Sequence, residues 1–427
     1  MLDMKRIREN PEEIRRGIAN KNERDRLDEL LAFDARRREI IVEVESLKNT
    51  RNTVSQEIAR LKKAGEDASG RIAEMRRVSD RIATLDAELR ETERGIESIA
   101  WHIPNMPHPS VPIGRSSAEN VEVRRWLPDG VLGLTAAAEG LLDHMELGRR
   151  LGILDFERGA KVSGSGFPLY TGKGASLERA LINFMLDLHI EHHGYTEVFP
   201  PFLVNSAAMR GTGQLPKMQE DMYRCADEDL YLIPTAEVPI TNIYRDEILS
   251  ADELPISLCG YSACFRREAG SYGKQTKGFL RVHQFNKVEM VKFTTPDASY
   301  EALETLVRDA EDVLRALRIP YRVILLCTGD MSFASSKTYD IEVWSPGESA
   351  WLEASSCSCF EDFQARRANI RFRPTPKSKP EFVHTLNGSG LATSRLMVSL
   401  LENNQTREGS VVVPEPLRPY THFDTIG

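Results

Sequence analysis

Apolar residues recur at alternating steps of three and four from position 30 to 61: Leu30, Phe33, Ile40, Val44, Leu47, Val54, Ile58 and Leu61, with Arg37 and Arg51 as polar members of the series. That spacing is the seam of a coiled coil. "KKAGEDASGR" (62–71) interrupts it with two glycines, and a second seam follows at Met75, Val78, Ile82, Leu85, Leu89, Ile96 and Ile99, with Thr92 its polar position. Two narrow apolar stripes joined by a short turn predict an antiparallel coiled-coil hairpin over about 30–100, an arm roughly 48 Å long at about 1.5 Å per residue. "WHIPNMPHPSVPIG" (101–114) ends it, because Pro104, Pro107, Pro109 and Pro112 cannot continue a helix.

The pattern changes after position 120. Leu177, Leu181, Phe184 and Leu188 form one helical stripe, with Gly194 placed to end it. "YTEVFPPFLV" is extended, and Pro200–Pro201 bar it from a central place in a sheet. Residues 301–318 read as an amphipathic helix and "YRVILLC" as a buried strand. Strands without regular helical alternation predict an α+β fold with a mainly antiparallel sheet. Three parts are expected: 1–110 with the hairpin, 111–165 as linker and entry helices, and 166–427 as the main domain.

Composition narrows the class. At 427 residues, 41% hydrophobic and 28% charged, the chain has the balance of a soluble globular protein. Its start, "MLDMKRIREN", lacks the apolar stretch of a secretory signal, and no apolar run is long enough to cross a bilayer. The six cysteines include no C-x-x-C pair, so reduced thiols in the cytoplasm are expected. The net charge of −8 argues mildly against a nucleic-acid partner, but local patches decide phosphate contacts. Within 30–100 the charges balance at 14 basic and 14 acidic residues, as on any solvated coiled coil. Local clusters at Arg36–Arg37–Arg38, Lys62–Lys63 and Arg76–Arg77 offer a grip on a phosphate backbone instead.

"CFRREAGSYGKQTKGFLRVHQFNKVEM" (264–290) concentrates the chemistry. Read as a hairpin, it puts Arg266 and Glu268 on one strand and Arg281, His283, Phe285 and Glu289 on one face of the next. Such a floor suits a nucleotide and an amino acid: guanidinium groups for phosphate, an aromatic plate for a base, a carboxylate for an ammonium. A row of cross-strand ion pairs on an exposed sheet would look alike. "WLEASSCSCF" (351–360) adds Glu353 and Ser356, oxygen donors of the kind Mg²⁺ accepts. "LNGSGLATSRLMVSLLEN" (386–403) reads as a glycine turn entering an apolar helix, with Arg395 near its start. "GFPLYTGKGAS" fails the phosphate-loop spacing, and His189 and His193 read as a polar helix face rather than a metal pair.

These segments together resemble the three motifs of the class II aminoacyl-tRNA synthetases, and end to end the chain is similar to the bacterial seryl-tRNA synthetase family. The helix near 175–193 with the strand 195–204 corresponds to the first motif, "FRRE…FLRVHQF" to the second and "GSGLATSRLMVSLLEN" to the third. "TAE" (235–237) and "EASS" (353–356) match as well. The resemblance implies an antiparallel sheet surrounded by helices, a homodimer formed through the first motif, and ATP-dependent charging of tRNA(Ser) with L-serine. It extends to tRNA(Sec), which the family often serves. It assigns catalysis to Arg266, Arg281 and Arg395, and serine binding to Thr235, Ala236, Glu237, Arg266, Glu289 and Ser389. It assigns ATP to Arg266, Arg267, Glu268, Val282, Phe285, Glu353, Ala354, Ser355, Ser356 and Arg395, with Mg²⁺ on Glu353 and Ser356. The arm in 1–110 would bind the tRNA. One departure is Lys277, where many members carry arginine; it keeps the charge and loses the planar fork. Two rivals are an enzyme loading a carrier protein, which would lack the arm, and an inactive homologue, against which the intact motifs count.

Overall fold

The computed structural model describes residues 1–129, 140–269 and 278–427. It comprises two compact units, one of residues 2–19 and 23–103, the other of 104–427 together with Met1 and 20–22.

The first unit is helical. Helix α1 (Leu27–Ala64) and helix α2 (Ser69–Ala100) run antiparallel, joined where Gly65 takes the left-handed φ of +75°. Ion pairs cross the hairpin in descending order: Arg37–Glu93 at 3.1 Å, Arg36–Glu88 at 2.6 Å, Arg81–Glu43 at 2.7 Å and Arg71–Glu57 at 2.8 Å. Ile40, Val44 and Leu85 form its apolar centre. The seam departs from the heptad at one point. Phe33 is 39% exposed, its ring lying across Gly95, whose missing side chain makes the room. Asp34 beside it is buried, held by Arg8 from the N-terminal helix Met4–Glu9 and by Arg38 one turn along α1, at 3.2 Å each. Gly70 does not break the chain but lies inside α2.

The second unit is built on an eight-stranded sheet. Its strands are β1 (Val121–Trp126), β2 (Thr196–Glu197), β3 (Ile256–Phe265), β4 (Gln284–Thr294), β5 (Tyr321–Leu325), β6 (Lys337–Ser345), β7 (Ala350–Cys359) and β8 (His384–Ala392). They lie in the order β1-β5-β6-β7-β8-β4-β3-β2. Every neighbouring pair is antiparallel except β2 with β3. The strand before Pro200–Pro201 is therefore an edge strand, as prolines require. Helices α3 (His144–Arg150), α4 (Lys173–Glu191), α5 (Ser299–Ala316), α6 (Phe363–Ala368) and α7 (Thr393–Asn403) complete the parts used below. On α5, Leu303, Leu306, Val307, Ala310, Val313 and Leu314 are all fully buried. That helical spacing turns one face to the sheet, at about 1.5–3 kcal/mol for each large side chain removed from water.

The structure corrects two sequence readings here. The glycines at 388 and 390 are not a turn but part of β8, which shifts register after Ser389. Gly390 is required there because a Cβ would come 2.4 Å from His189 Nε2. His189 is correspondingly no polar-face residue: it is buried, its Nε2 is 3.0 Å from the Gly390 carbonyl, and burial lowers its pKa to about 4.

Candidate active site

β3 and β4 pair in continuous register from Ile256–Phe293 to Phe265–Gln284, and this hairpin floors a cavity of about 600 Å³. The strands end sooner than the alternation suggests. Arg266, Arg267 and Glu268 lie beyond β3, and Arg281 and His283 lie before β4. The two ends still meet, since Arg266 N–H donates to the His283 carbonyl at 2.9 Å. Glu268 adopts a φ of +52° and its carboxylate receives Arg281 Nη1 at 2.6 Å.

One end of the cavity is a buried polar network. Glu289 accepts the Thr235 hydroxyl at 3.0 Å, while Lys287 Nζ donates to the same hydroxyl at 2.8 Å and forms an ion pair with Glu289. Glu237 receives Gln364 Nε2 at 2.7 Å and Gln214 Nε2 at 3.4 Å. Burial, and then the Glu289 carboxylate, push Glu237 up to about 7. Arg266 donates from Nε to the Pro234 carbonyl at 3.3 Å and sets its guanidinium 5.1 Å from the centre of the Phe285 ring.

The other end is cationic with oxygen donors. Arg395, in the first turn of α7, donates to the Glu353 carbonyl at 2.7 Å and to the Leu280 carbonyl at 3.3 Å, and its guanidinium lies 3.4 Å from the Glu353 carboxylate. Ser355 donates to the Ser389 carbonyl at 2.7 Å, tying β7 to β8. Ser356 faces Asp340 across the β6–β7 register and hydrogen-bonds its carboxylate, whose Oδ1 is buried without a partner. Burial and then Glu353 hold the Asp340 carboxyl well above the usual range. Two carboxylates and a hydroxyl converge here with an orphaned oxygen, so the donors fit a hard divalent cation.

Of the residues singled out in the sequence, Thr235, Glu237, Arg266, Glu268, Arg281, Val282, Phe285, Glu289, Glu353, Ala354, Ser355, Ser356, Ser389 and Arg395 all line this one cavity. Two do not. Ala236 is fully buried in an apolar cluster with Ile240 and Val291, so its methyl faces core. The Arg267 side chain is exposed, and its backbone N–H is tied to the Asp221 carbonyl at 2.9 Å. Lys277 lies outside the described residues. The sequence reading passed over Lys287, although it shares the parity of Phe285 and Glu289. Gln214 and Gln364 carry no local signal, because only the tertiary fold brings them to Glu237.

The sheet, its hairpin floor and the helix carrying Arg395 define a class II aminoacyl-tRNA synthetase core, and residues 223–404 match the tRNA synthetase class II core domain (G, H, P, S and T). Residues 1–107 match the seryl-tRNA synthetase N-terminal domain. A serine--tRNA ligase of Chlorobium phaeobacteroides (strain BS1) is 60% identical over 431 residues, covering 100% of both chains. The crystal structure of a seryl-tRNA synthetase from Pyrococcus horikoshii complexed with ATP superposes with a TM-score of 0.94 at 40% identity, covering 100% of this chain and 99% of that one. A cytoplasmic serine-tRNA ligase from Naegleria fowleri in complex with AMP gives 0.89 at 29% identity, covering 100% and 98%. The chain belongs to the seryl-tRNA synthetase family.

Proposed function

We infer that this chain activates L-serine with ATP to form seryl-adenylate and passes the seryl group to tRNA(Ser). The observation that carries the reading is the single cavity that joins a buried carboxylate network at one end to arginines and oxygen donors at the other. In the first step a serine carboxylate oxygen attacks the α-phosphorus of ATP and the bond to pyrophosphate breaks. Two anions must approach, and Arg266 is the cation we assign to both. Arg281 and Arg395 would hold phosphate oxygens, and Phe285 would stack the adenine on the face that Arg266 leaves open. Thr235, Glu237, Glu289 and Ser389 would surround serine, and Ala236 would contribute backbone alone. Positioning and preorganised charge then supply most of the acceleration. Glu353 and Ser356, with Asp340 beside them, would hold Mg²⁺, which when bound neutralises charge on the phosphates. In the second step a terminal ribose hydroxyl of the tRNA attacks the acyl carbon and AMP leaves.

The helical hairpin is our candidate for the tRNA grip, within the three-part division 1–110, 111–165 and 166–427. Arg36, Arg37 and Arg38 are engaged with Glu88, Glu93 and Asp34. Lys62, Lys63, Arg76 and Arg77, near the turn, are exposed and are the cations we assign to phosphate. A second copy of the chain is the partner we assign to the β2 edge, where Phe199 is 75% exposed. The six free cysteines suit a reducing cytoplasm, and no helix among the described residues is long and apolar enough to cross a membrane. Exchange of labelled pyrophosphate into ATP, measured with each of the twenty amino acids, tests the reading. Exchange with serine above all others is expected, and exchange led by another amino acid would overturn it.

A further inference from the structure

His144 and Glu402 form a fully buried pair next to Phe279, which lines the cavity. Glu402, in the last turns of α7, accepts four hydrogen bonds. Its Oε1 takes the His144 backbone N–H at 2.9 Å and the His144 Nδ1–H at 3.0 Å. Its Oε2 takes the Ser345 hydroxyl at 2.5 Å and the Gly347 N–H at 3.0 Å. Ser345 ends β6, and Gly347 lies in the turn that leads to β7, the strand that carries Glu353 and Ser356.

The far nitrogen of the imidazole is also used. Phe279 N–H points at His144 Nε2 at 3.3 Å. A carboxylate on one side and an N–H on the other fix the neutral tautomer with its proton on Nδ1. The chain is pressed against the ring at this point: Gly278 has a φ of +57°, and a Cβ there would stand 2.2 Å from Nε2. Phe279 is then locked between Phe156 and Tyr170, at 5.3 and 5.1 Å between ring centres. The next three residues, Leu280, Arg281 and Val282, line the cavity. The Leu280 carbonyl is the one that Arg395 holds from the other side.

We propose that His144 is a positioning residue for the ATP end of the cavity, setting Arg281 and Val282 through its hydrogen bond to Phe279 and its anchor on Glu402. The inference rests on the nucleotide reading given above. The test compares wild type, His144→Ala, His144→Gln and Gly278→Ala in the full chain. It measures pyrophosphate exchange against ATP and serine separately, with direct ATP binding and circular dichroism alongside. His144→Ala should raise the KM for ATP roughly tenfold, the order of one lost positioning contact, and leave the KM for serine within about twofold. Glutamine has both a donor and an acceptor at its tip, and His144→Gln should recover at least half of the loss. Gly278→Ala displaces the same contact from the other side and should show the same bias toward ATP.

A fall in kcat with both KM values unchanged would make His144 a packing residue and overturn the proposal. So would an equal rise in both KM values, or a folded His144→Gln no better than the alanine variant. If His144→Ala does not fold, the other two variants decide by the same criteria. If wild type shows no serine-dependent exchange, the functional reading fails on its own. ATP binding by the same variants then decides the role of His144.

Discussion

Acidification should loosen serine binding while stabilising the ligand-free protein, because both effects run through Glu237. Its carboxyl is pushed from the ordinary 4.5 to about 7, first by burial and then by Glu289. Lys287 and Arg266 pull the other way, and the Gln364 hydrogen bond favours the anion, but burial wins. For stability the sign is that of a raised carboxyl. Between pH 4.5 and about 7 the unfolded chain has lost this proton and the folded one keeps it. The contribution is therefore full below 4.5 and is lost as pH rises to about 7. At about 1.4 kcal/mol per pH unit the difference is on the order of 3 kcal/mol. For binding the sign reverses. If Glu237 is a counter-ion of the substrate ammonium, it must release its proton first, so each pH unit below about 7 should cost roughly tenfold in serine affinity. The assay is the KM for serine in pyrophosphate exchange at saturating ATP, from about pH 6 to 8.5. Calorimetry in buffers of different ionisation heat would count the protons released. Glu237→Gln should weaken serine binding and remove the slope, which separates this group from the substrate amine. A KM for serine that stays within about twofold from pH 6 to 8, with no proton release, would refute the argument.

Arg266→Ala should abolish exchange while circular dichroism shows an intact fold; near-normal exchange would reject its role. Excising residues 30–100 should leave exchange within a few-fold of wild type and reduce tRNA charging by at least a hundredfold, on the order expected when several phosphate contacts are lost; undiminished charging would reject the arm as the grip. Glu353→Gln should raise the magnesium concentration needed for half-maximal exchange about tenfold, in line with loss of a charged ligand, and an unchanged magnesium profile would remove it from the metal site. Phe199→Glu should shift the sedimenting species toward monomer at micromolar concentration, and an unaltered sedimentation profile would direct attention to another face.

The hairpin was legible because a heptad is a local, repeated signal that survives one misfit. That misfit, Phe33, arose because Gly95 on the opposite helix offers a slot that no seam count sees. The edge position of β2 was legible because two prolines leave few places for a strand. The cavity residues were legible in part from strand parity and in large part from motif resemblance. Parity alone misplaced the ends of β3 and β4, since Arg266 and His283 pair beyond the regular ladder. It cannot register the Gln364–Glu237–Gln214 clamp, whose members lie 23 and 127 residues apart in sequence. His189 was misread for a related reason: only the close approach of a glycine strand makes its burial tolerable.

The seating of Phe33 on Gly95 has a consequence for the hairpin as a measuring device. The Phe33 ring lies where a Cβ at position 95 would stand 2.7 Å from it, so it fits only opposite a residue without a side chain. A slip by one heptad would set the ring against a residue with a side chain and part the four ion pairs that cross the hairpin, so the two helices hold one register. The tip is thereby kept at a set height above its base, a ruler whose graduation is one heptad, about 10.5 Å. Matched seven-residue insertions in both helices would lengthen the ruler without disturbing its zero mark.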